Sequence, residues 1–220
     1  MIVVHHLDHS RSQRVLWMLE ELGLDYEIRR YERDAKTMLA PPSLMAVHPL
    51  GKSPVIVDGD KTLAESGAIL EYLVDAYGAG RFAPPPGSPD RLKYTYFLHY
   101  AEGSLMPPLL LRLIFARLPR SAPILVRPIV GAVSSKALAS YVDPQIERHL
   151  NFLEGELSNR QWFAGDAFSA ADIQMSFPLE AAAARAGLDA RRPRLWDFLQ
   201  RIRARPAYAR ALAKGGPTVL

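Results

Sequence analysis

The first 78 residues alternate between short β-rich runs and helical periodicity. The apolar run IVVHHL (2–7) and the alternating run YEIRRY (26–31) predict two strands. Apolar residues three and four apart predict helices over Ser12–Leu22 and Ser66–Tyr77, and VIVDGDKTLAE (55–65) predicts a hairpin with its turn at Asp-Gly-Asp. The order β-α-β, then a loop or short helix, then β-β-α, is that of a small α/β sandwich.

The segment AGRFAPPPGSPD (79–90) is predicted to be a linker by its glycines and prolines, and the pattern of hydrophobic positions changes after it. Beyond it the strand signals vanish and helical periodicity predominates. This periodicity covers Arg91–Arg117, Pro128–Leu157, Ala170–Ala186, Arg194–Arg203 and Pro206–Lys214. The predicted fold class is therefore an α/β domain followed by an all-α domain.

The chain's 220 residues are enough for one large domain or two small ones. Its apolar fraction of 49% and charged fraction of 23% are typical of a soluble globular protein. No run reaches the roughly 18 apolar residues of a membrane span, and no basic leader precedes an apolar core at the N-terminus. We expect a cytoplasmic protein with no membrane partner.

Cysteine is absent from the sequence. This excludes disulfides, zinc-thiolate sites, a cysteine nucleophile and Cys-x-x-Cys redox pairs, so any sulfur chemistry needs a thiol from a bound molecule. His5, His6 and His9 raise a metal hypothesis. They lack the helical His-x-x-x-His spacing and carboxylates at ligand spacing, so we expect no metal site.

The net charge is +4, and much of the excess lies in residues 190–214. A basic stretch of this kind could bind nucleic acid. Its arginines, however, lie on a helix opposite Leu195, Phe198, Leu199 and Ile202. This pattern favours a solvated helix face, and we expect no nucleic-acid partner.

Ser10 and Ser12 stand at the predicted start of the first helix, directly after the first strand. A serine at a helix start most often caps it, because its oxygen accepts a free backbone N–H. Helix starts also bind anions, since unpaired N–H groups and the macrodipole point outward there. The pattern alone leaves both interpretations open.

Pro54 stands directly before a predicted strand, within HPLGKSPVIV (48–57). Because proline cannot donate to a sheet, the first position of a strand suits it. The alternative is a cis Ser53–Pro54 bond that would turn backbone polar groups of Ser53 or Val55 toward an extended peptide. Cis bonds are a minority even before proline, so the sequence does not decide.

The second long helix of the first half begins at Glu65-Ser66, within LAESGAILEYL (63–73). Either Ser66 caps this helix and Glu65 is merely exposed, or the two recognise an amino-acid head group. In the second case Ser66 donates to its carboxylate and Glu65 pairs with its ammonium. FSAADI (168–173) predicts a capping box of Ser169 and Asp172, which we interpret as structural.

Aromatic residues and methionine recur at helical spacing over residues 94–115. Most of them must belong to the core. One face could also line an apolar pocket between the domains, drawn from Tyr94, Tyr96, His99, Tyr100, Met106 and Phe115.

The chain resembles the glutathione transferase family in its Pro-rich linker and in four motifs, SRSQRVLWMLEELGLDYE, HPLGKSPVIV, LAESGAILEYL and FSAADI. The likeness covers nearly the whole chain, is specific over 1–78 and is looser over 90–160. It is strongest to serine-type, theta-like members found in bacteria and fungi. The resemblance implies a thioredoxin-like domain over 1–78, a linker over 79–90 and a helical domain over 91–220.

The resemblance also implies a glutathione site. Pro54 would follow a cis bond, and the backbone of Ser53 would pair with the cysteinyl part of glutathione. Glu65 and Ser66 would hold the γ-glutamyl end, and Lys52 would approach the glycyl carboxylate. Glutathione is then a substrate that supplies the missing thiol, and no cofactor is expected.

In serine-type relatives a serine at the first helix start donates its hydroxyl to the glutathione sulfur. Ser10 matches that position, Ser12 would take the role after a one-residue loop difference, and some relatives use backbone N–H groups instead. The implied reaction joins the thiolate to a small hydrophobic electrophile. We expect its pocket to be formed by Tyr96, His99, Tyr100 and Met106.

A homodimer is also implied, with the 65–77 and 91–117 helices at its interface. Two rival functions remain. One is a non-catalytic module of the same fold that binds glutathione or a protein partner. The other is a glutathione-dependent reductase of peroxides or disulfides, for which the missing cysteine excludes only versions that need a protein thiol.

Overall fold

The computed structural model describes residues 1–217; residues 218–220, the end of the predicted helical domain, lie outside the described residues. One sheet has the order β2-β1-β3-β4. β1 pairs parallel to β2 and antiparallel to β3, and β3 pairs antiparallel to β4. The strands are β1 (Ile2–Leu7), β2 (Tyr26–Tyr31), β3 (Val55–Asp58) and β4 (Lys61–Ala64), which confirms the predicted strands and hairpin.

Three helices belong to the first half: α1 (Ser12–Leu22), the short α2 (Pro42–Met45) and α3 (Ser66–Tyr77). Parallel strands need a crossover connection, and α1 supplies it between β1 and β2. α1 ends at Gly23, whose φ of +71° places it in the left-handed region that glycine adopts without steric cost. The bounds predicted for α1 and α3 are confirmed.

Residues 78–88 join the two halves without a helix or strand, and the predicted linker also took in the first two residues of α4. Beyond this segment the described residues form only helices and loops, apart from a single bridge between Trp162 and Gly165. The helices are α4 (Pro89–Tyr100), α5 (Met106–Ser121), α6 (Arg127–Ala137), α7 (Asp143–Glu156), α8 (Ala170–Arg185), α9 (Pro193–Arg203) and α10 (Pro206–Gly215).

The two longest predicted helical stretches are each interrupted by a π-helical turn, at Ala101–Leu105 and at Leu138–Val142. Prolines follow both turns, at the starts of α5 and α7. A proline lacks a backbone N–H and its ring clashes with the carbonyl four residues earlier, so regular α-helical bonding cannot continue there. The first stretch also extends past the predicted end at Arg117, to Ser121.

Helix α1 is shared by the two halves of the molecule. Nine of its 11 residues are buried, because the sheet covers one side and the helical half covers the other. Trp17 shows this directly, since its ring packs edge-on against Tyr208 of α10 at a centroid distance of 5.0 Å. Among the described residues, no helix has the length and apolarity that crossing a membrane requires.

The predicted capping box starts α8. The backbone N–H and the hydroxyl of Ser169 both donate to the Asp172 carboxylate, at 2.9 Å each, and the N–H of Phe163 donates at 2.9 Å. Burial raises the pKa of Asp172 to about 6, against the effect of these donors. The prediction that this motif is structural agrees with its place inside the helical half.

Candidate functional site

A cleft of about 330 Å³ opens where the starts of α1 and α3 face the helical half. The loop before β3, the π-helical turn after α4 and one residue of α5 complete its walls. Five residues predicted from the sequence line it together: Lys52, Ser53, Pro54, Glu65 and Ser66. The other lining residues are Arg11, His48, Leu50, Ala64, Glu102 and Leu110.

The Ser53–Pro54 bond is cis, as expected. Ser53 fixes this loop against the end of β1, because its hydroxyl donates to the carbonyl of His5 at 2.8 Å. The same oxygen accepts the N–H of Leu7 at 3.2 Å. The loop therefore stands at a fixed distance from the start of α1.

Two non-glycine residues with positive φ precede the serines of the site. Glu65 has φ +70° before Ser66, and His9 has φ +53° before Ser10. Such conformations cost about 1–3 kcal/mol and collect at functional sites. Ser66 is the first residue of α3 and Glu65 occupies the cap position, so the interpretation of Ser66 as the N-cap was wrong.

Ser66 is supported from behind by two buried donors. Its Oγ accepts from Nη2 of Arg14 at 2.9 Å and from Nε2 of Gln174 at 3.4 Å. With its oxygen serving as the acceptor for these groups, the hydroxyl proton is available to a ligand in the cleft. The first backbone N–H groups of α3 have no acceptor within the helix, so they are available at the same helix start.

Arg14 is the buried cation beneath the cleft, with 2% of its side chain exposed. It donates to Glu102 at 2.5 Å and to the carbonyl of Gln174 at 2.8 Å. Burial lowers the pKa of Arg14 to about 10, although Glu102 opposes this, so the guanidinium stays charged at neutral pH.

Glu102 is shared by two arginines. Besides Arg14, Nε of Arg11 donates to its carboxylate at 2.8 Å. Burial raises the pKa of Glu102, but Arg14 and Arg11 outweigh burial and hold this pKa below its ordinary value. The ring of Phe177 lies against both guanidinium groups, 5.0 Å from Arg11 and 5.3 Å from Arg14.

Ser10 and Ser12 belong to one chain of hydrogen bonds. Their Oγ atoms are 2.7 Å apart, and Ser12 Oγ lies 2.8 Å from Nδ1 of His6. Ser12 is fully buried, whereas Ser10 is 7% exposed. Ser10 Oγ is also 3.5 Å from Oγ of Ser53, which lines the cleft. Of the two predicted serines, Ser10 is the one beside the cleft.

The four residues predicted for the second-substrate pocket do not line this cleft. Tyr96 lies in a separate cavity of about 350 Å³, with Leu92, Lys93, Phe152 and Glu156. The Tyr100 hydroxyl bonds to His149, His99 is exposed and Met106 is buried at the start of α5. The residues that the helical half brings to the cleft are instead Glu102 and Leu110.

Sequence reasoning missed Glu102, which lines the cleft, and Arg14, which is buried behind it. A signal was present, because Glu102 is the only acidic residue between Asp90 and Asp143. A single carboxylate in so long an apolar and basic stretch indicates a fixed cationic partner. Within the described part of the chain, no three His, Asp or Glu side chains are grouped so that they could hold a metal ion.

The sheet order, the cis-proline loop and the helical half define a thioredoxin-like domain joined to an all-helical one. The family model "Glutathione S-transferase, N-terminal domain" matches residues 1–75, and "Glutathione S-transferase, C-terminal domain" matches residues 113–206. The chain belongs to the glutathione transferase family, and it is a glutathione transferase.

Three known proteins illustrate this relationship. Glutathione S-transferase 3 of Schizosaccharomyces pombe is 41% identical over 184 residues, which are 83% of this chain and 74% of that protein. A crystal structure of a glutathione S-transferase from Actinobacillus pleuropneumoniae is 33% identical, with TM-score 0.82 over 98% of this chain and 93% of the other. A sphingomonad glutathione S-transferase complexed with glutathione is 28% identical, with TM-score 0.73 over 97% and 98%.

Proposed function

We propose that the cleft holds reduced glutathione and that Ser10 stabilises its thiolate for attack on a small apolar electrophile. One observation carries this proposal: Ser53, Pro54, Glu65 and Ser66 line a single cleft, and Ser10 Oγ lies directly behind its wall, 3.5 Å from Oγ of Ser53. The complex of the sphingomonad enzyme with glutathione supports the choice of ligand.

The two ends of glutathione match the charges of the cleft. The γ-glutamyl carboxylate would accept from the Ser66 hydroxyl and from N–H groups at the start of α3, and its ammonium would face Glu65. Lys52 lies on the loop before Pro54, where it can approach the glycyl carboxylate. The Ser53 backbone would pair with the cysteinyl part between these ends.

The interactions proposed for the thiolate are strong enough to lower the pKa of the glutathione thiol by about two units. A free thiol has a pKa of about 8.5, and lowering it by two units requires roughly 2.7 kcal/mol. A hydrogen bond to a charged group contributes about 1.5–3 kcal/mol, and a helix start contributes about 0.3–1 kcal/mol. Ser10 and the start of α1 together can supply this difference.

The electrophile would lie against Leu110, which is half exposed at the helical wall of the cleft. Leu50 is on the opposite loop and is also exposed. These two side chains offer an apolar surface in the wall of the cleft. We propose this surface in place of the pocket predicted from Tyr96, His99, Tyr100 and Met106, none of which lines the cleft.

For the implied homodimer, we propose that α4 lies in the interface. Leu92 and Tyr96 on α4 and Phe152 on α7 are 77%, 47% and 40% exposed around one cavity. An apolar group of this kind on a helix surface favours a subunit contact. Leu92→Asp should convert the dimer into a monomer in light scattering, and an unchanged mass would contradict this interface.

The test of the proposed function is thiolate absorbance against pH, with glutathione added to the wild type and to Ser10→Ala. A bound thiol that ionises well below its free pKa, and returns toward it in Ser10→Ala, supports the proposal. A depressed pKa that survives the change would move the role to Ser12 or to backbone N–H groups. Binding without depression would favour a non-catalytic module, and absence of binding would remove the proposed ligand.

A further inference from the structure

His6 is buried behind the two serines, and its contacts define the tautomer of the neutral ring. Its Nε2 lies 2.8 Å from the carbonyl oxygen of Gly215, which can only accept, so Nε2 carries the hydrogen. In the neutral ring Nδ1 is then an acceptor, and the Ser12 hydroxyl donates to it at 2.8 Å in preference to the Leu7 carbonyl at 3.4 Å. Ser12 Oγ in turn accepts the hydroxyl proton of Ser10 at 2.7 Å, since the other acceptor near Ser10, Ser53 Oγ, is farther away at 3.5 Å.

The whole chain of donors therefore points inward, from Ser10 through Ser12 to His6. Ser10 Oγ accepts the backbone N–H of Ser12 at 3.2 Å and keeps one lone pair for a further donor. A thiol bound in the cleft beside Ser53 would be that donor, because Ser10 is the member of the chain nearest the cleft.

We propose that His6 takes up the thiol proton of bound glutathione through Ser10 and Ser12. This inference rests on the proposed function, since it needs the glutathione sulfur beside Ser10. His6 does not touch the substrate and acts only through the two serines. It is thus the final proton acceptor, reached through the two serines, and the thiol proton stays in the protein when the thiolate forms.

The transfer balances as three coupled proton shifts. The S–H bond breaks and its proton goes to Ser10 Oγ; the Ser10 proton goes to Ser12 Oγ; the Ser12 proton goes to Nδ1 of His6. The electron pair of the S–H bond stays on sulfur. Both serines remain neutral hydroxyls with reversed direction, so Ser10 now donates to the thiolate, and no oxidant or additional reactant is needed.

The surroundings of His6 suit both states of the ring. Burial lowers the pKa of His6, and the more distant Arg30 and His9 act in the same direction, so the ring is neutral before glutathione binds. The Gly215 carbonyl and Asp8, whose carboxylate is 3.7 Å from Nε2, favour the charged ring. Gly215 is also the last residue of α10, and a helix C-terminus attracts a protonated histidine.

The experiment measures how many protons are released to solvent for each thiolate that forms. Glutathione is added to the enzyme in weak buffer near neutral pH, with an indicator reporting released protons and ultraviolet absorbance reporting thiolate. S-methylglutathione, which has no thiol, measures the protons that other groups exchange on binding, and this background is subtracted. We expect thiolate absorbance with little net proton release; one proton released per thiolate would overturn the proposal.

Two variants of His6 test whether this residue is the group that retains the proton. His6→Gln keeps a donor that can reach Gly215, and His6→Asn keeps an acceptor that can reach Ser12, but neither side chain titrates. Both should release one proton for each thiolate that still forms. Release as low as that of the wild type would overturn the relay.

A second measurement needs no variant that might fail to fold. Nitrogen NMR of histidine-labelled wild type should show one ring becoming imidazolium with glutathione and not with S-methylglutathione. If every histidine stays neutral while thiolate absorbance appears, the relay is wrong and the proposed function stands. If no thiolate appears with bound glutathione, the proposed function itself has failed.

Discussion

The guanidinium of Arg14 lies 2.5 Å from the carboxylate of Glu102, although the two residues are 88 positions apart in the chain. Arg14 belongs to α1 of the thioredoxin-like domain, and Glu102 to the π-helical turn of the helical domain. Their ion pair lies beneath the cleft and reaches Ser66 through a second hydrogen bond of Arg14. The position of Ser66, to which we assign the γ-glutamyl end of glutathione, therefore depends on both domains.

Arg14→Gln should destabilise the protein far more than Arg11→Gln, although both arginines pair with Glu102. Arg14 is 2% exposed and Arg11 is 36% exposed. Breaking a buried ion pair costs about 3–5 kcal/mol, whereas an exposed pair contributes about 0–1 kcal/mol. Urea unfolding of both variants measures the difference, and equal losses would show that burial does not set the strength of this pair.

Glu102 should make the protein sensitive to acid. Its pKa is held below the ordinary value, so the folded state binds fewer protons than the unfolded state in the acid range. The stabilisation is present above the unfolded pKa of about 4.3 and is lost as pH falls through the folded value. The stability gap between wild type and Glu102→Gln should narrow from pH 7 to pH 3; a constant gap would contradict this.

Ser10→Ala and Ser66→Ala should affect different kinetic constants. Removing Ser10 should lower kcat by about tenfold or more, with glutathione affinity nearly unchanged, because its bond strengthens as the thiolate forms. Removing Ser66 should weaken glutathione binding by about tenfold, since a hydrogen bond to a carboxylate is lost. Steady-state kinetics and calorimetric titration separate the two effects. A parallel loss of affinity and kcat in both variants would argue against separate roles.

Leu110→Ser and Tyr96→Ser compare the two locations for the electrophile. Leu110 lines the cleft and Tyr96 lines a different cavity. Losing the apolar contact of a half-exposed leucine should raise the electrophile KM by roughly three- to tenfold. Tyr96→Ser should leave that KM unchanged. The opposite result would return the pocket to the outer face of α4.

Gly215→Ala should loosen the contact of α10 with α1. An added Cβ would clash with the Gln13 side chain and would lie 2.5 Å from that of Leu16. Overpacking of this kind costs about 1–3 kcal/mol. Gly131→Ala, inside α6 with open space around it, should instead stabilise by about 0.5–1 kcal/mol. Thermal unfolding compares them, and a harmless Gly215→Ala would show that α10 can move aside.

Local signals predicted the first domain well because its elements depend on short-range patterns. The limits of α1 and α3 follow from apolar spacing, and Pro54 marks the start of β3. The cis bond at Pro54 came from resemblance to a family, since local preference favours the trans form. The Ser66 cap failed for a related reason, because Glu65 adopts a conformation that propensity does not predict.

The helical half was less predictable because apolar residues at helical spacing can belong to the core or line a cavity, and the spacing does not distinguish these locations. Tyr96 and Leu110 both stand at apolar helical positions, yet they face different cavities. The π-helical turn between them changes the direction in which residues project, whereas the periodicity predicted one continuous helical stretch across it. Arg14 escaped notice since its partners, Glu102 and Gln174, are distant in the chain.

Because both halves pack against helix α1, neither half can be exchanged between related proteins on its own. By sequence it belongs to the first half, but Trp17 lies among residues of the second, including Tyr208. A fragment cut at residues 78–88 would leave one side of α1 bare to water, with its apolar residues and Arg14 uncovered. A chimera that exchanges halves between relatives would need matching substitutions on α1, α8 and α10 at once. Residues 78–88 separate the halves in the sequence, but they are not a site at which the halves can be recombined. Substitutions at the contacts of α1 in one half require matching substitutions in the other.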